Sequence, residues 1–262
     1  MYDFEFVKPS TIAEAALALA GDGAQALSGG MTLLPTMKQR LASSGTLVSL
    51  TGIAEMKGVC KGDGGLHVGA ATPHAVVAAE AAAYYPALAA LAGGIGDPAV
   101  RNRGTVGGSV ANNDPAACYP SAVLGSGATV VTNRRKIAAD DYFQGMFTTA
   151  LEEGEFIIEV RFPIPQKAAY LKFNQPASRF ALTGVFVAKF ADGVRVAVTG
   201  ASNDGVFRWS EAETALSKDF SAAAIAGLTM DASDMISDLH GTPSYRANLV
   251  KVLTGRAVTG AV

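Results

Sequence analysis

Leu27-Ser28-Gly29-Gly30-Met31-Thr32-Leu33-Leu34 decides how this chain is read. Gln25-Ala26-Leu27 is a short apolar run that reads as a strand and breaks off at two glycines. Thr32 is placed to cap a helix through about Leu41, and Pro35 is tolerated in that helix's first turn. A strand, a Gly-Gly turn and a capped helix bring main-chain N–H groups and a helix N-terminus to one spot, which suits an anion. A second cluster, Thr105-Val106-Gly107-Gly108-Ser109, has the same makeup and reads as a second turn of unobstructed amides. Two such turns, both flanked by hydroxyl residues, suit a ligand with two adjacent phosphates.

The neighbouring segments alternate in kind. Phe4–Val7 reads as a strand, and Thr11-x-x-Glu14 as a capping box ahead of an Ala/Leu helix. Thr46–Leu50 and Leu66–Ala70 read as strands, Thr72-Pro73 as a helix start and Pro86–Ala92 as a helix. Gly93–Pro115 is rich in Gly, Asn, Asp, Arg and Pro and reads as a long functional loop. Ala116–Leu124 is expected to be helical, with strands at Ala128–Thr132 and Phe156–Phe162. Pro163–Lys167 marks a lobe boundary. Beyond it come strands near 170–174, 180–190 and 194–201, the last two joined by the hairpin signal Ala191-Asp192-Gly193. Helices follow at 210–216, 221–228 and 245–253. Strands followed by helices describe an α+β lobe.

Composition narrows the function. The chain has 262 residues, 49% hydrophobic, with a formal net charge of −2 and no block of like charges, so a basic nucleic-acid face is not expected. Nothing at the start reads as a secretory signal, and no apolar run is long enough to cross a bilayer. A cytoplasmic location is the expectation. Only two cysteines are present, Cys60 and Cys118, both read as small buried side chains. Four thiolates are needed for an iron–sulfur cluster, and the three histidines are scattered, so no metal site is expected on this chain.

No catalytic constellation stands out. Gly94-Ile95-Gly96-Asp97-Pro98-Ala99 fits G-x-G-x-x-A, but a helix precedes it where a dinucleotide fingerprint needs a strand. The carboxylate pairs Asp140-Asp141 and Glu152-Glu153 read as solvated. A site of amides and hydroxyls, without an acid, base or metal cage, suits chemistry carried by a bound organic cofactor.

These residues resemble the FAD-binding medium subunit of molybdenum hydroxylases, the carbon monoxide dehydrogenase and xanthine dehydrogenase family. Residues 27–34 and Arg101-Asn-Arg-Gly-Thr-Val-Gly-Gly-Ser109 carry the resemblance. Asn112–Pro115, Pro176–Ala181 and Tyr245–Thr254 extend it along the chain. The resemblance implies an α+β fold: two small α/β lobes, 1–55 and 56–165, forming an FAD-binding module, then a C-terminal α+β lobe, 168–262. It implies that Leu27, Ser28, Gly29, Gly30, Met31, Thr32, Leu33 and Leu34, with Thr105, Val106, Gly107, Gly108 and Ser109, hold the FAD diphosphate through amides and hydroxyls. Asn113 and Asp114 belong to the same implied site. Ile95 would lie against the flavin ring, Ile157 near the adenine or ring-packing region, and Lys172 at the flavin edge, where its charge favours the reduced cofactor.

Two positions depart from the family pattern. Cys118 stands where relatives often have an acid that bonds a sugar hydroxyl, and Met31 where they often have a polar side chain. The implied function is electron transfer. A large subunit with a molybdenum-pterin cofactor would oxidise the substrate, a small iron–sulfur subunit with 2Fe-2S clusters would relay electrons, and this chain's FAD would pass them to an external acceptor. A dimer of heterotrimers is implied. A stand-alone flavin oxidase and a cofactor-free structural subunit are the alternatives.

Overall fold

A computed structural model describes residues 1–262. Three sheets follow one another along the chain. The first holds β1 (Glu5–Val7), β2 (Ala24–Leu27) and β3 (Thr46–Ser49) in the order β1-β3-β2, all parallel. Parallel neighbours need crossovers, and α1 (Ile12–Leu19) and α2 (Leu33–Lys38) supply them. Thr11 caps α1 by accepting the Glu14 amide. The expected reciprocal bond is shifted by one residue, because the Glu14 carboxylate takes the amide and hydroxyl of Ser10 instead. α2 stops at Lys38, short of Leu41, and Thr32 stands at its N-cap position without a side-chain cap bond.

The second sheet is antiparallel, in the order β4-β5-β8-β6-β7. Its strands are β4 (Val59–Gly62), β5 (Gly65–Gly69), β6 (Thr129–Thr132), β7 (Lys136–Ala138) and β8 (Ile157–Phe162). Helices α3 (His74–Glu80), α4 (Pro86–Gly93), α5 (Pro98–Arg101), α6 (Val106–Asn112) and α7 (Tyr119–Gly125) lie between β5 and β6, and α8 (Ala139–Tyr142) follows β7. The expected long loop at 93–115 therefore holds two helices. Asp97 caps α5, with Pro98 in its first turn, and Thr105 caps α6. The expected turn at 105–109 is the first turn of α6.

The chain passes to the third sheet between Phe162 and Lys167. That sheet is antiparallel, in the order β12-β11-β10-β9, with β9 (Lys167–Asn174), β10 (Ala181–Lys189), β11 (Val194–Ser202) and β12 (Gly205–Arg208). α9 (Ser210–Lys218) and α10 (Pro243–Gly260) follow, and the segment expected to be helical at 221–228 is a single 3-10 turn at Ala222–Ile225. β10 is buried on both faces. Alternation sends Phe186 and Ala188 into the core shared with the second sheet, and Val185 and Val187 into the core closed by α9 and α10. The architecture is α+β, and its middle lobe carries an antiparallel sheet.

Candidate functional site: an amide-lined cleft

β2 ends at Leu27, and the chain turns through Gly30 at φ +71°, a left-handed value that favours glycine. Gly29 is pressed against the second motif: a Cβ there would lie 2.1 Å from the Arg103 carbonyl oxygen. The Oγ of Ser28 and Oγ1 of Thr105 share a hydrogen bond of 2.7 Å, so the two glycine segments form one wall. Within that wall they differ. The amides of Gly29, Gly30, Met31 and Thr32 donate to no protein acceptor. Those of Val106 and Gly107 are taken by the carbonyls of Thr72 and Ala70, that of Ser109 by the Thr105 carbonyl, and that of Gly108 by Thr105 Oγ1. The expectation of two equivalent amide turns is corrected. The first segment supplies open amides. The second supplies a buttress, with the Ser109 side chain on the cleft.

The wall faces a cleft of about 560 Å³, within the range of small-molecule sites. Leu27, Ser28, Gly29, Gly30, Met31, Thr32 and Leu33 line it, as do Thr105, Gly107, Gly108 and Ser109. Ile95, Asp114, Cys118, Ile157 and Lys172 line it from other elements. Three expected residues lie elsewhere. Leu34 packs with Leu27, Met37 and Leu47 in the small core beneath the first sheet. Val106, the first residue of α6, is fully buried in the core. Asn113, left-handed at the C-terminus of α6, spends its side-chain amide on the Gly145 and Thr148 carbonyls, at 2.8 and 2.9 Å.

Two charged groups on the cleft, Lys172 and Asp114, are anchored by backbone. Lys172 Nζ donates to the carbonyls of Gly94 and Arg179, both at 2.8 Å, and lies 3.5 Å from Cys118 Sγ. Asp114 accepts the Ala116 amide at 2.8 Å, and burial raises its pKa against that bond. Its other oxygen makes no protein bond and can accept from a ligand hydroxyl, the contact that Cys118, a poor acceptor, does not supply. Cys118 is buried as expected, whereas Cys60 is exposed on edge strand β4, which corrects its reading.

Reading the residues missed Glu155, Phe156, His74, Arg179 and Phe180, all on the cleft. Burial alone would raise the Glu155 pKa. The hydrogen bonds of Arg135, Thr132 and the Glu152 amide, with the Arg135 charge, outweigh burial and hold it at about 2. Its signal in the sequence was the neighbouring acid pair Glu152-Glu153. Glu152 is exposed and pairs with Arg134 and Arg135, and the informative acid is two residues past the pair. No group of three or more His, Cys, Asp or Glu residues is placed to hold a metal ion.

Open amides, hydroxyls and apolar walls on one cleft define a protein that binds a phosphorylated organic cofactor. Residues 2–165 match the family described as "FAD binding domain in molybdopterin dehydrogenase", and the chain belongs to that family, the FAD-binding medium subunits of molybdenum hydroxylases. It is 32% identical to the carbon monoxide dehydrogenase medium chain of Afipia carboxidovorans, over 98% of this chain and 96% of that one. The structure of carbon monoxide dehydrogenase from Hydrogenophaga pseudoflava superposes with a TM-score of 0.86 at 31% identity, over 98% and 96% of the two chains. Quinoline 2-oxidoreductase from Pseudomonas putida 86 gives a TM-score of 0.87 at 28% identity, with the same coverage. The chain is thus an oxidoreductase subunit with FAD as its cofactor. The residues present fit that group. Gly29 and Gly30 leave room where a Cβ would strike protein atoms, and four amides beside them lack acceptors. No helix is long and apolar enough to cross a membrane.

Proposed function

We propose that this chain is the electron-exit subunit of a cytoplasmic heterotrimeric molybdenum hydroxylase. In that complex a large molybdenum subunit oxidises the substrate, and a small 2Fe-2S subunit relays electrons to this chain, which releases them to an external acceptor. Two heterotrimers pair. The observation that carries the reading is the run of four open amides at Gly29–Thr32, set on an apolar cleft with no acid–base or metal constellation.

FAD supplies the redox chemistry, taking up electrons singly and releasing them singly or in pairs. The chain's own work is binding and orientation. The amides of Gly29–Thr32 hold the diphosphate, helped by the hydroxyls of Thr32, Thr105 and Ser109. The free oxygen of Asp114 accepts from a sugar hydroxyl. Ile95 and Ile157 exclude water from the ring systems. Lys172, fixed by two carbonyls, keeps a positive charge at the cleft.

Co-expression with the two partner genes tests the assembly. The expected product is a complex containing molybdenum, iron and flavin in which substrate bleaches the flavin only when the iron–sulfur subunit is present. A chain that purifies without partners, and whose flavin substrate bleaches directly, overturns the reading.

A further inference from the structure

His74 sits in the cleft wall and takes no part in the reading above. The residue is 4% exposed. No hydrogen bond or neighbouring charge acts on it, and burial alone lowers its pKa to about 4, so the ring is neutral near pH 7. Nδ1 is sealed from solvent without a partner. The ring is held by backbone on one side and by an aromatic ring on the other. The His74 amide donates to the Gly104 carbonyl at 3.0 Å, Pro73 bridges Thr105, and the Tyr119 ring lies 5.2 Å away, centroid to centroid.

The layering then leads to the open turn. A Cβ on Gly104 would lie 2.7 Å from His74 Nε2, and a Cβ on Gly29 would lie 2.8 Å from Gly104 Cα. Glycine at both positions lets the imidazole edge, the Gly104 backbone and the Gly29 turn stack without intervening side chains. A neutral imidazole carries one proton, on one of two nitrogens. An N–H buried without an acceptor is rarer in proteins than a buried acceptor without a donor. The sealed Nδ1 is therefore the bare nitrogen, and the proton is on Nε2, the ring nitrogen on the Gly104 side.

We propose that His74 is a binding residue for the pyrophosphate of the cofactor, donating from Nε2–H to a phosphate oxygen beside the Gly29–Thr32 amides. This rests on the FAD site described above, and it adds a neutral side-chain donor to a wall otherwise made of backbone and hydroxyls. Such a donor orients an anion without carrying a charge into the buried wall.

The test uses the full chain stripped of flavin and titrated with FAD, ADP and riboflavin. Losing a hydrogen bond to a charged group predicts that His74→Phe weakens FAD and ADP by about tenfold or more while riboflavin is unchanged. His74→Gln, which keeps an N–H at similar reach, restores most of the loss. In the wild-type chain with 15N-labelled histidine, the Nε2-protonated tautomer is expected, and its signal moves when ADP binds. A wild-type chain that binds no FAD overturns the cofactor reading itself. Wild-type binding of FAD with undiminished binding by His74→Phe overturns only the role of His74, as does a ring protonated on Nδ1 or indifferent to ADP. If the Phe variant fails to fold, the Gln variant and the wild-type ring signal decide.

Discussion

At Gly29 a single added methyl has nowhere to go, because the atom it meets is backbone oxygen rather than the end of a flexible side chain. Gly29→Ala must part the two motifs. We expect it to cost about 1–3 kcal/mol of stability by overpacking and to abolish flavin retention, measured by thermal unfolding and by bound flavin after gel filtration. Glu155 makes a different kind of prediction. Its carboxylate stays charged in the folded chain down to about pH 2, while its ordinary pKa is near 4.5. The stability it contributes is complete above pH 4.5 and is lost as pH falls towards 2. Urea midpoints measured across that window should fall less steeply in Glu155→Gln than in wild type, after the common loss from other acids is subtracted. Equal slopes would remove Glu155 from the account.

At the scale of elements, α6 depends on its cap and on tertiary contacts rather than on propensity, since it contains two glycines in its first turn. Thr105→Val removes the cap and the bond to Ser28. It should cost about 1 kcal/mol in chemical denaturation and weaken FAD binding, whereas Thr105→Ser should do neither. α10 offers a larger effect. Arg246, 2% exposed, donates to the carbonyls of Leu182 and Gly200 and to Asp238. Arg246→Leu removes all three bonds from the buried end of α10 and should destabilise the third lobe by about 3–5 kcal/mol, read from the denaturant midpoint.

The same elements show what could be read from residues alone. The first motif was legible because strand, glycines and helix are contiguous, and β10 and β11 because a hairpin signal joins two long apolar runs. α5 and α6 were not, because a Gly- and Asn-rich stretch has no helical preference of its own and is held by Thr72, Ala70 and Thr105 from outside and at its cap. β4, β7 and β12 are edge strands of three or four residues, too short to show alternation. His74 and Glu155 were missed because their significance comes from burial, which a lone polar residue in a sequence does not reveal.

Across the whole molecule, the cleft draws walls from all three lobes, and Lys172 is one tie between the second and the third. It stands on β9 of the third sheet and bonds the C-terminal end of α4 and the 175–180 segment. Lys172→Met should leave the lobes folded but loosen their closure. The expected readings are faster FAD dissociation and faster amide hydrogen exchange in 175–180, with the core of β10 still protected. The central claim is that four main-chain donors and their apolar surroundings hold FAD on this chain. The most direct measurement is the visible spectrum of the purified full chain, followed by acid extraction. The account predicts one noncovalent FAD per chain, retained through gel filtration or restored by adding FAD. A folded chain that stays colourless in excess FAD would contradict it.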